Sequence, residues 1–280
     1  MNTCCALNQK ELNNIATKVR MDIIEQVHSA ASGHPGGSLS LAEIMTYLYF
    51  VEMNVDPSKP DHDDRDRLVL SKGHAAPALY AALAERGYFD RAELTTLRQV
   101  TSSLQGHPSL GSVAGVDMTT GSLGQGLSAA CGMATVAKME GKDYRTYAVV
   151  GDGESQEGQI WEAIMYAAHR KLDNLCAVID WNGLQIDGEV EKVMNPVPYP
   201  EKLRAFGWNV ISIDGHDFAQ IADAFAKARQ CKGKPTAIIA KTVKGKGVSF
   251  MEHRAEWHGS APKDAQYEQA MAELRTALGE

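Results

Sequence analysis

Apolar residues near the start of the chain recur every three or four positions, which is the spacing of one helix face. The residues of this stripe are Leu12, Ile15, Val19, Ile23 and Val27. Asn8 precedes the stripe and Glu11 follows three residues later, a capping-box pattern that satisfies free N–H groups at a helix start. We therefore predict an amphipathic helix that begins after Asn8 and ends at the SGHPGG segment, residues 32–37.

A second capping-box pattern, Ser40 with Glu43, predicts an apolar helix that runs to about Phe50. A charged segment follows, DPSKPDHDDRDR, and is expected to be a solvated loop. Beyond it, apolar segments of strand length alternate with segments of helical length. The predicted strands are 67–70, 146–150, 175–180, 209–213 and 236–240, and the predicted helices are 76–87, 126–138, 155–171 and 217–231.

This alternation predicts parallel βαβ units, because parallel strands need a crossover connection that is usually a helix. The fold class expected is α/β, with a mostly parallel sheet and helices on both faces. Nothing in the composition marks a linker, so residues 1–280 are predicted to form a single domain.

Composition and charge narrow the range of functions. The chain is 44% hydrophobic and 22% charged, and its net charge of -7 argues against nucleic acid as a partner. No apolar run has the length of a membrane span, and the first residues turn polar at once, unlike a signal peptide. Five scattered cysteines, including the adjacent Cys4 and Cys5, are expected to be free thiols without a special role. We therefore expect a cytoplasmic protein.

The strongest chemical pattern lies at the ends of two neighbouring predicted strands. Asp152 in a GDG turn and Asn182 in an NG turn are 30 residues apart. A helix of about 17 residues covers roughly 25 Å, and a strand of about 7 residues returns roughly 23 Å. Both side chains therefore come to the carboxyl edge of the sheet, where open α/β sheets bind ligands.

Asp and Asn are also common turn residues, so either residue alone would carry little weight. Together they offer hard oxygen ligands for Mg²⁺, and Ca²⁺ fits them as well. The glycines around Asp152 leave room for a diphosphate, and the next helix offers its N-terminus. A dinucleotide site is the competing interpretation, but Gln156 stands where the third glycine of that motif belongs.

These segments carry a family resemblance. GDG followed after about thirty residues by Asn resembles the signature of thiamine-diphosphate enzymes, and GDGESQEGQIWEA resembles its transketolase version. Four further segments match transketolases in the same order along the chain. They are SGHPGGSLS, SKGHAAPALYAAL, GHPSLGSVAGVDMTTGSLGQGLS and WHGSAP.

The resemblance implies roles for individual residues. Mg²⁺ would be held by Asp152, Asn182 and the backbone carbonyl of Leu184. Thiamine diphosphate would contact His74, Gly121, Ser122, Leu123, Gly153, Glu157, Asn182 and His258. The catalytic histidines of the substrate channel would be His34, His107 and His258. His216 is also flanked by glycine but matches no functional motif, so it is expected to be structural.

The resemblance also implies an activity, the transfer of a two-carbon ketol unit from a ketose phosphate to an aldose phosphate. Transketolases are more than twice as long and carry a pyrimidine-binding domain. We therefore expect the N-terminal subunit of a split transketolase, active only with a companion C-terminal chain in an α2β2 assembly. A subunit of a 2-oxo-acid dehydrogenase or a relative of deoxyxylulose-phosphate synthase is an alternative, as is a non-catalytic binding module.

Two residues depart from the family pattern. Ser122 replaces a common proline, and Lys72 replaces a common asparagine. Neither change removes an expected metal ligand. Lys72 places an extra cation near His74, and the resulting hypothesis is that it alters the preference for an anionic group.

Overall fold

Residues 7–280 are described by a computed structural model, and Cys4 and Cys5 lie outside this range. The central feature is a five-stranded sheet of β1 (Arg67–Leu70), β2 (Thr146–Gly151), β3 (Leu175–Trp181), β6 (Asn209–Asp214) and β7 (Thr236–Lys241). Every neighbouring pair of these strands is parallel, and their order in the sheet is β1-β2-β3-β7-β6. A separate hairpin pairs β4 (Leu184–Gln185) with β5 (Gly188–Glu189). The parallel sheet confirms the expected fold class.

Helices cover both faces of the sheet. The long helices are α1 (Gln9–Ser29), α4 (Ala76–Arg86), α5 (Gln125–Met139), α6 (Gly158–His169), α9 (Phe218–Gln230) and α10 (Asp264–Leu278). Shorter helices are α2 (Pro35–Leu39), α3 (Ala42–Tyr47), α7 (Val190–Val193) and α8 (Tyr199–Ala205).

Alternate residues of the central strands enter two separate hydrophobic cores. On β3, Cys176 and Val178 pack on the side of α1, α4 and α9, whereas Ala177 and Ile179 pack on the side of α5, α6 and α8. Side chains on both faces of these strands are apolar because each face of the sheet is buried. Burial on both faces explains why these strands read as continuous apolar runs in the sequence.

The first helix follows its prediction closely. The Asn8 side chain accepts a hydrogen bond from the Glu11 N–H, and Glu11 in turn accepts one from the Asn8 N–H. Four of the five stripe residues are buried, and Ile15 is partly buried against the same core. Here the local pattern and the tertiary packing favour the same structure.

The second predicted capping box was wrong. Helix α3 begins after Leu41 without a side-chain cap, and a π-helical turn, Leu48–Glu52, follows it. The Ser40 hydroxyl donates to Asp180, 140 residues away, at 2.8 Å. The Glu43 carboxylate accepts hydrogen bonds from Arg20. Both side chains are taken up by tertiary contacts, and neither caps the helix.

Candidate functional site

A cavity of about 410 Å³ lies at the carboxyl edge of the sheet, bordered by the loops that follow β1, β2, β3 and β7. It collects nearly all of the residues that the sequence singled out. These are His34, His74, His107, Gly121, Leu123, Asp152, Gly153, Glu157, Asn182, Leu184 and His258. Ser122 is the exception, because it is exposed and does not line the cavity.

Asp152 and Asn182 come together as the strand lengths predicted. The register pairs Gly151 of β2 with Asp180 of β3, so both chains leave the sheet at the same level. Asp152 is 2% exposed. One of its carboxylate oxygens accepts from the Gly153 N–H at 2.8 Å and the other from the Gly183 N–H at 2.5 Å. The carboxylate is therefore fixed beside the turn that carries Asn182.

Asp180 orients the side chain of Asn182. The amide nitrogen of Asn182 donates to Asp180 Oδ2 at 3.0 Å, and the amide oxygen Oδ1 accepts from the Leu184 N–H at 3.1 Å and keeps a second lone pair for a ligand. Asp180 itself is fully buried and accepts from the hydroxyls of Ser40 and Thr242. It also forms an ion pair with Lys72, whose ammonium group donates to the Gly37 carbonyl at 2.8 Å as well.

The donor atoms at this edge fit a hard divalent cation. Asp152 supplies a carboxylate, Asn182 an amide oxygen, and Leu184 a backbone carbonyl on the same cavity wall. Such oxygens suit Mg²⁺, which keeps water or phosphate in its remaining positions. Within residues 7–280 no group of three or more His, Cys, Asp or Glu side chains is arranged to hold a metal. Besides the Asp152 carboxylate, a site built here would therefore depend on neutral oxygen ligands and on a bound phosphate.

The environment of Asp152 favours a bound cation. Burial raises the pKa of Asp152 to about 6, with a further increase from nearby Asp180, while N–H donors from Gly183 and Gly153 oppose the rise. A divalent cation on this carboxylate would offset the cost of its buried charge.

Four loops bring four histidines together at the cavity. The ring of His34 lies 5.2 Å from that of His74, 5.5 Å from that of His258 and 6.3 Å from that of His107, measured between centroids. His74 and His258 are 5.0 Å apart. Four histidines that are widely separated in the sequence, between positions 34 and 258, thus form one cluster. No local sequence pattern predicts that they meet.

The histidines are neutral at neutral pH. Burial is the main cause: it lowers the pKa of His34 to about 4 and that of His258 to about 3, and it holds the pKa of His74 well below its usual value. Nearby cations act in the same direction, chiefly Arg98 on His34 and Lys244 on His258. These rings can therefore accept or donate hydrogen bonds to a substrate in their uncharged form.

Lys244 is a site residue that the sequence reasoning missed. Its side chain is 2% exposed, and its ammonium group lies 3.0 Å from His258 Nδ1 and 3.2 Å from the Leu184 carbonyl oxygen. Burial, reinforced by Lys72, lowers its pKa to about 8. The signal was present, because Lys244 follows β7 in a glycine-flanked segment at the same sheet edge as Asp152.

Glu154 ties the glycine-rich loop to the end of β2. Its carboxylate accepts from the Gly124 N–H at 3.0 Å and the Gly151 N–H at 2.9 Å, and from the Ser71 hydroxyl at 2.5 Å. Gly124 has φ +85, a left-handed conformation that glycine adopts without strain. This contact fixes the start of α5 beside the cavity.

The structure changes the expectation for Lys72. Its ammonium is buried and paired with Asp180, so its charge is already compensated within the protein. An effect of Lys72 on substrate preference remains a prediction. In the structure its role is to neutralise the buried charge of Asp180.

Along residues 7–280, every helix is too short or too polar to cross a lipid bilayer.

Comparison with known proteins identifies the family. The family model described as "Transketolase, thiamine diphosphate binding domain" matches residues 11–279 of this chain. The 6-deoxy-6-sulfo-D-fructose transketolase subunit SqwG of Clostridium sp. (strain MSTE9) is 46% identical over 95% of this chain and 97% of its own length. An apulose-4-phosphate transketolase subunit from Phocaeicola vulgatus is 45% identical over 92% of this chain and 91% of its own length.

Solved structures of transketolases resemble the fold of this chain. The transketolase of Campylobacter jejuni superposes with a TM-score of 0.90 at 34% identity, over 98% of this chain and 43% of that one. Mammalian transketolases and transketolase-like proteins are also longer, and this chain spans 40–42% of their length. The chain therefore matches two subunit-sized proteins nearly end to end and less than half of the longer ones.

Proposed function

The chain belongs to the transketolase family of thiamine diphosphate-binding domains, and from this membership we propose that it is the diphosphate-binding subunit of a two-chain transketolase. The observation that carries the proposal is the single cavity in which Asp152, Asn182 and the four histidines meet. We take the whole chain as one domain, because one continuous sheet supports both hydrophobic cores.

The residues of the sheet edge would hold the cofactor's diphosphate through Mg²⁺. Asp152, Asn182 and the Leu184 carbonyl would bind the metal ion, and Ca²⁺ fits the same oxygen donors. Lys244 and the N–H groups near Gly153 would face the diphosphate, because both lie on the cavity wall beside Asp152. When bound, thiamine diphosphate supplies the carbanion chemistry that ketol transfer requires.

The histidines would form hydrogen bonds with the hydroxyl and carbonyl groups of the sugar. His34, His107 and His258 are neutral, so each can accept a hydrogen bond from a substrate hydroxyl or donate one to a carbonyl or alkoxide oxygen. His74, Glu157 and the backbone of Gly121 and Leu123 would contact the cofactor, because all four residues line the cavity.

We also propose a companion chain that carries the pyrimidine-binding domain, in an α2β2 assembly. Two relatives that this chain covers over most of their length are named as transketolase subunits. The cavity wall includes Leu123 and Ile186, which are 37% and 67% exposed, and exposed apolar residues at a site suit coverage by another surface. A cytoplasmic location is consistent with the free cysteines Cys131, Cys176 and Cys231.

The test is ketol transfer between sugar phosphates. The chain is purified alone and together with a companion that carries a pyrimidine-binding domain, each with thiamine diphosphate and Mg²⁺. We expect transfer from a ketose phosphate to an aldose phosphate by the pair and none by the chain alone. Full activity of the chain alone would disprove the need for a companion, and a pair that decarboxylates a 2-oxo acid but transfers no ketol would disprove the transketolase assignment.

The metal site has its own test. Asp152→Asn removes the carboxylate but keeps the shape, and loss of a direct ligand should weaken Mg²⁺-dependent cofactor binding by more than the roughly 10–100-fold typical of an outer-sphere partner. Calorimetric titration of the pair with thiamine diphosphate, with and without Mg²⁺, measures this. Unchanged Mg²⁺ dependence in the variant would remove Asp152 from the metal site.

A further inference from the structure

His216 lies outside the cavity, yet both of its ring nitrogens are engaged. Nε2 accepts a hydrogen bond from the Val243 backbone N–H at 2.9 Å. Because Nε2 is an acceptor, the ring proton must be on Nδ1, which lies 2.9 Å from Glu43 Oε2. His216 therefore connects helix α3 with the residue that immediately precedes Lys244.

The other end of this connection is a buried ion pair. Glu43 and Arg20 are each 6% exposed, and one guanidinium nitrogen of Arg20 lies 2.7 Å from both carboxylate oxygens of Glu43. Burial opposes ionisation of Glu43, but Arg20 and His216 outweigh it and lower its pKa to about 2. The carboxylate is thus a fixed negative charge that anchors His216.

The same ion pair holds the far side of the segment that carries Lys244. Arg20 Nε donates to the Lys246 carbonyl at 2.9 Å, while His216 holds the Val243 N–H. Between these two points the Gly245 N–H donates to the Gly36 carbonyl at 3.0 Å. Three backbone tethers on four consecutive residues leave the Lys244 backbone little freedom, and its ammonium group enters the cavity beside Asp152.

We propose that His216 is a positioning residue that, anchored by the Arg20–Glu43 ion pair, holds Lys244 at the cavity to bind the diphosphate of the cofactor. This inference rests on the proposed function, because it assigns a residue outside the cavity to the same cofactor site. His216 does not line the cavity, so it would act on the cofactor only through Val243 and Lys244. It thus has a role beyond the structural one that its sequence context suggested.

Two substitutions separate the two hydrogen bonds of the ring. The amide of Asn in His216→Asn reaches the position of Nδ1, so it can still contact Glu43 but cannot accept from Val243. The amide of Gln in His216→Gln reaches the position of Nε2 and can still accept from the Val243 N–H. A positioning role through Val243 therefore predicts that the Asn variant loses function and the Gln variant retains most of it.

The measurement is the Kd for thiamine diphosphate, in the presence of Mg²⁺, of the chain assembled with its companion. Loss of one hydrogen bond should raise this Kd by about threefold to tenfold in His216→Asn, and by less in His216→Gln. His169→Asn, on the exposed surface of α6, is the matched histidine control and should leave the Kd unchanged. Equal Kd values for the wild-type protein and His216→Asn would overturn the inference.

A double-mutant comparison distinguishes positioning from a general loss of packing. Lys244→Met removes the ammonium group and should weaken binding by roughly tenfold or more. In that background His216→Asn should have no further effect, because the group it positions is gone. The same loss in both backgrounds would show that His216 supports the fold only.

Two further measurements separate failure of this inference from a folding defect and from failure of the proposed function. If His216→Asn does not fold, Arg20→Lys tests the same anchor while it keeps a cation beside Glu43, with the same expected dependence on Lys244. A wild-type complex that does not bind thiamine diphosphate would overturn the proposed function itself, whereas normal wild-type binding with an insensitive His216 would overturn this inference alone.

Discussion

At the scale of single residues, the buried charge of Asp180 at the sheet edge is compensated within the protein by Lys72. Asp180 is fully buried and receives hydrogen bonds from Lys72, Ser40, Thr242 and Asn182. Burial would raise its pKa, but Lys72 and the hydroxyl donors outweigh burial and lower it. The pair therefore keeps a carboxylate charged where it can orient Asn182.

Lys72→Met should destabilise the protein strongly. Removing one partner of a buried ion pair leaves an uncompensated charge and costs about 3–5 kcal/mol. Urea unfolding measures the change in the free energy of unfolding. Adding Asp180→Asn should recover part of the loss, and a double variant less stable than Lys72→Met alone would contradict this account.

The pKa of His34 predicts a pH dependence of stability. Burial, reinforced by Arg98, lowers the pKa of His34 to about 4 in the folded protein, against about 6.5 for an unperturbed histidine. The folded state thus disfavours protonated His34, so its contribution is complete above pH 6.5 and is lost as the pH falls towards 4.

We expect the free energy of unfolding to fall less steeply between pH 7 and pH 5 in His34→Asn than in the wild-type protein, because Asn does not titrate. Urea unfolding across this range, compared between the two proteins, isolates the one group. Parallel curves would mean that His34 has its ordinary pKa in the folded protein.

At the scale of elements, helix α5 approaches β1 closely through Gly126. A Cβ at Gly126 would lie 2.6 Å from the Ser71 Cα, closer than real Cβ contacts, whereas a Cβ at Gly132 on the same helix would have no neighbour within 4 Å. The two glycines share a helix but differ in what they face. Gly126 permits the approach that places the glycine-rich loop at the cavity.

Gly126→Ala should therefore destabilise the protein by about 1–3 kcal/mol, the usual cost of overpacking. Gly132→Ala is the matched control and should stabilise it by about 0.5–1 kcal/mol, because alanine loses less entropy in a helix. Thermal and urea unfolding of both variants measure the difference. A stabilising Gly126→Ala would show that α5 can move away from β1 without penalty.

At the scale of the whole molecule, the parallel strand order puts the carboxyl ends of β1, β2, β3 and β7 around one cavity. Helix connections return each strand in the same direction, so the loops that follow these four strands leave the same edge. The segments with His34 and Gly121, which precede helices α2 and α5, line the same cavity. The cavity wall still exposes Leu123 and Ile186. A cofactor bound to this chain alone would remain partly in contact with water.

The assembled pair should consequently bind thiamine diphosphate at least about tenfold more tightly than the isolated chain, since ligand sites bury most of the ligand surface. Calorimetric titration of the chain, and of the chain with its companion, gives both dissociation constants. Equal affinities would indicate that this chain forms the complete cofactor site and that the companion serves another purpose.

The sequence by itself determined the parts of the structure that depend on local patterns. Apolar runs and their spacing specified the parallel strands and the long helices from α1 to α9, and the Asn8 capping box specified where α1 begins. The distance between Asp152 and Asn182 along the chain was enough to place both at one edge, because helix and strand lengths are fixed by backbone geometry. The resemblance that named the family rested on short motifs in a fixed order.

Only the tertiary structure decided how distant side chains combine. A helix cap contributes about 1 kcal/mol, so the local signal of Ser40 and Glu43 was overridden by buried contacts with Asp180 and Arg20. The burial of Lys244 against Gly36, and the approach of His34 to His258, follow from packing of segments more than 200 residues apart. Burial and charge pairing depend on neighbours in space, and a linear pattern of residues does not contain them.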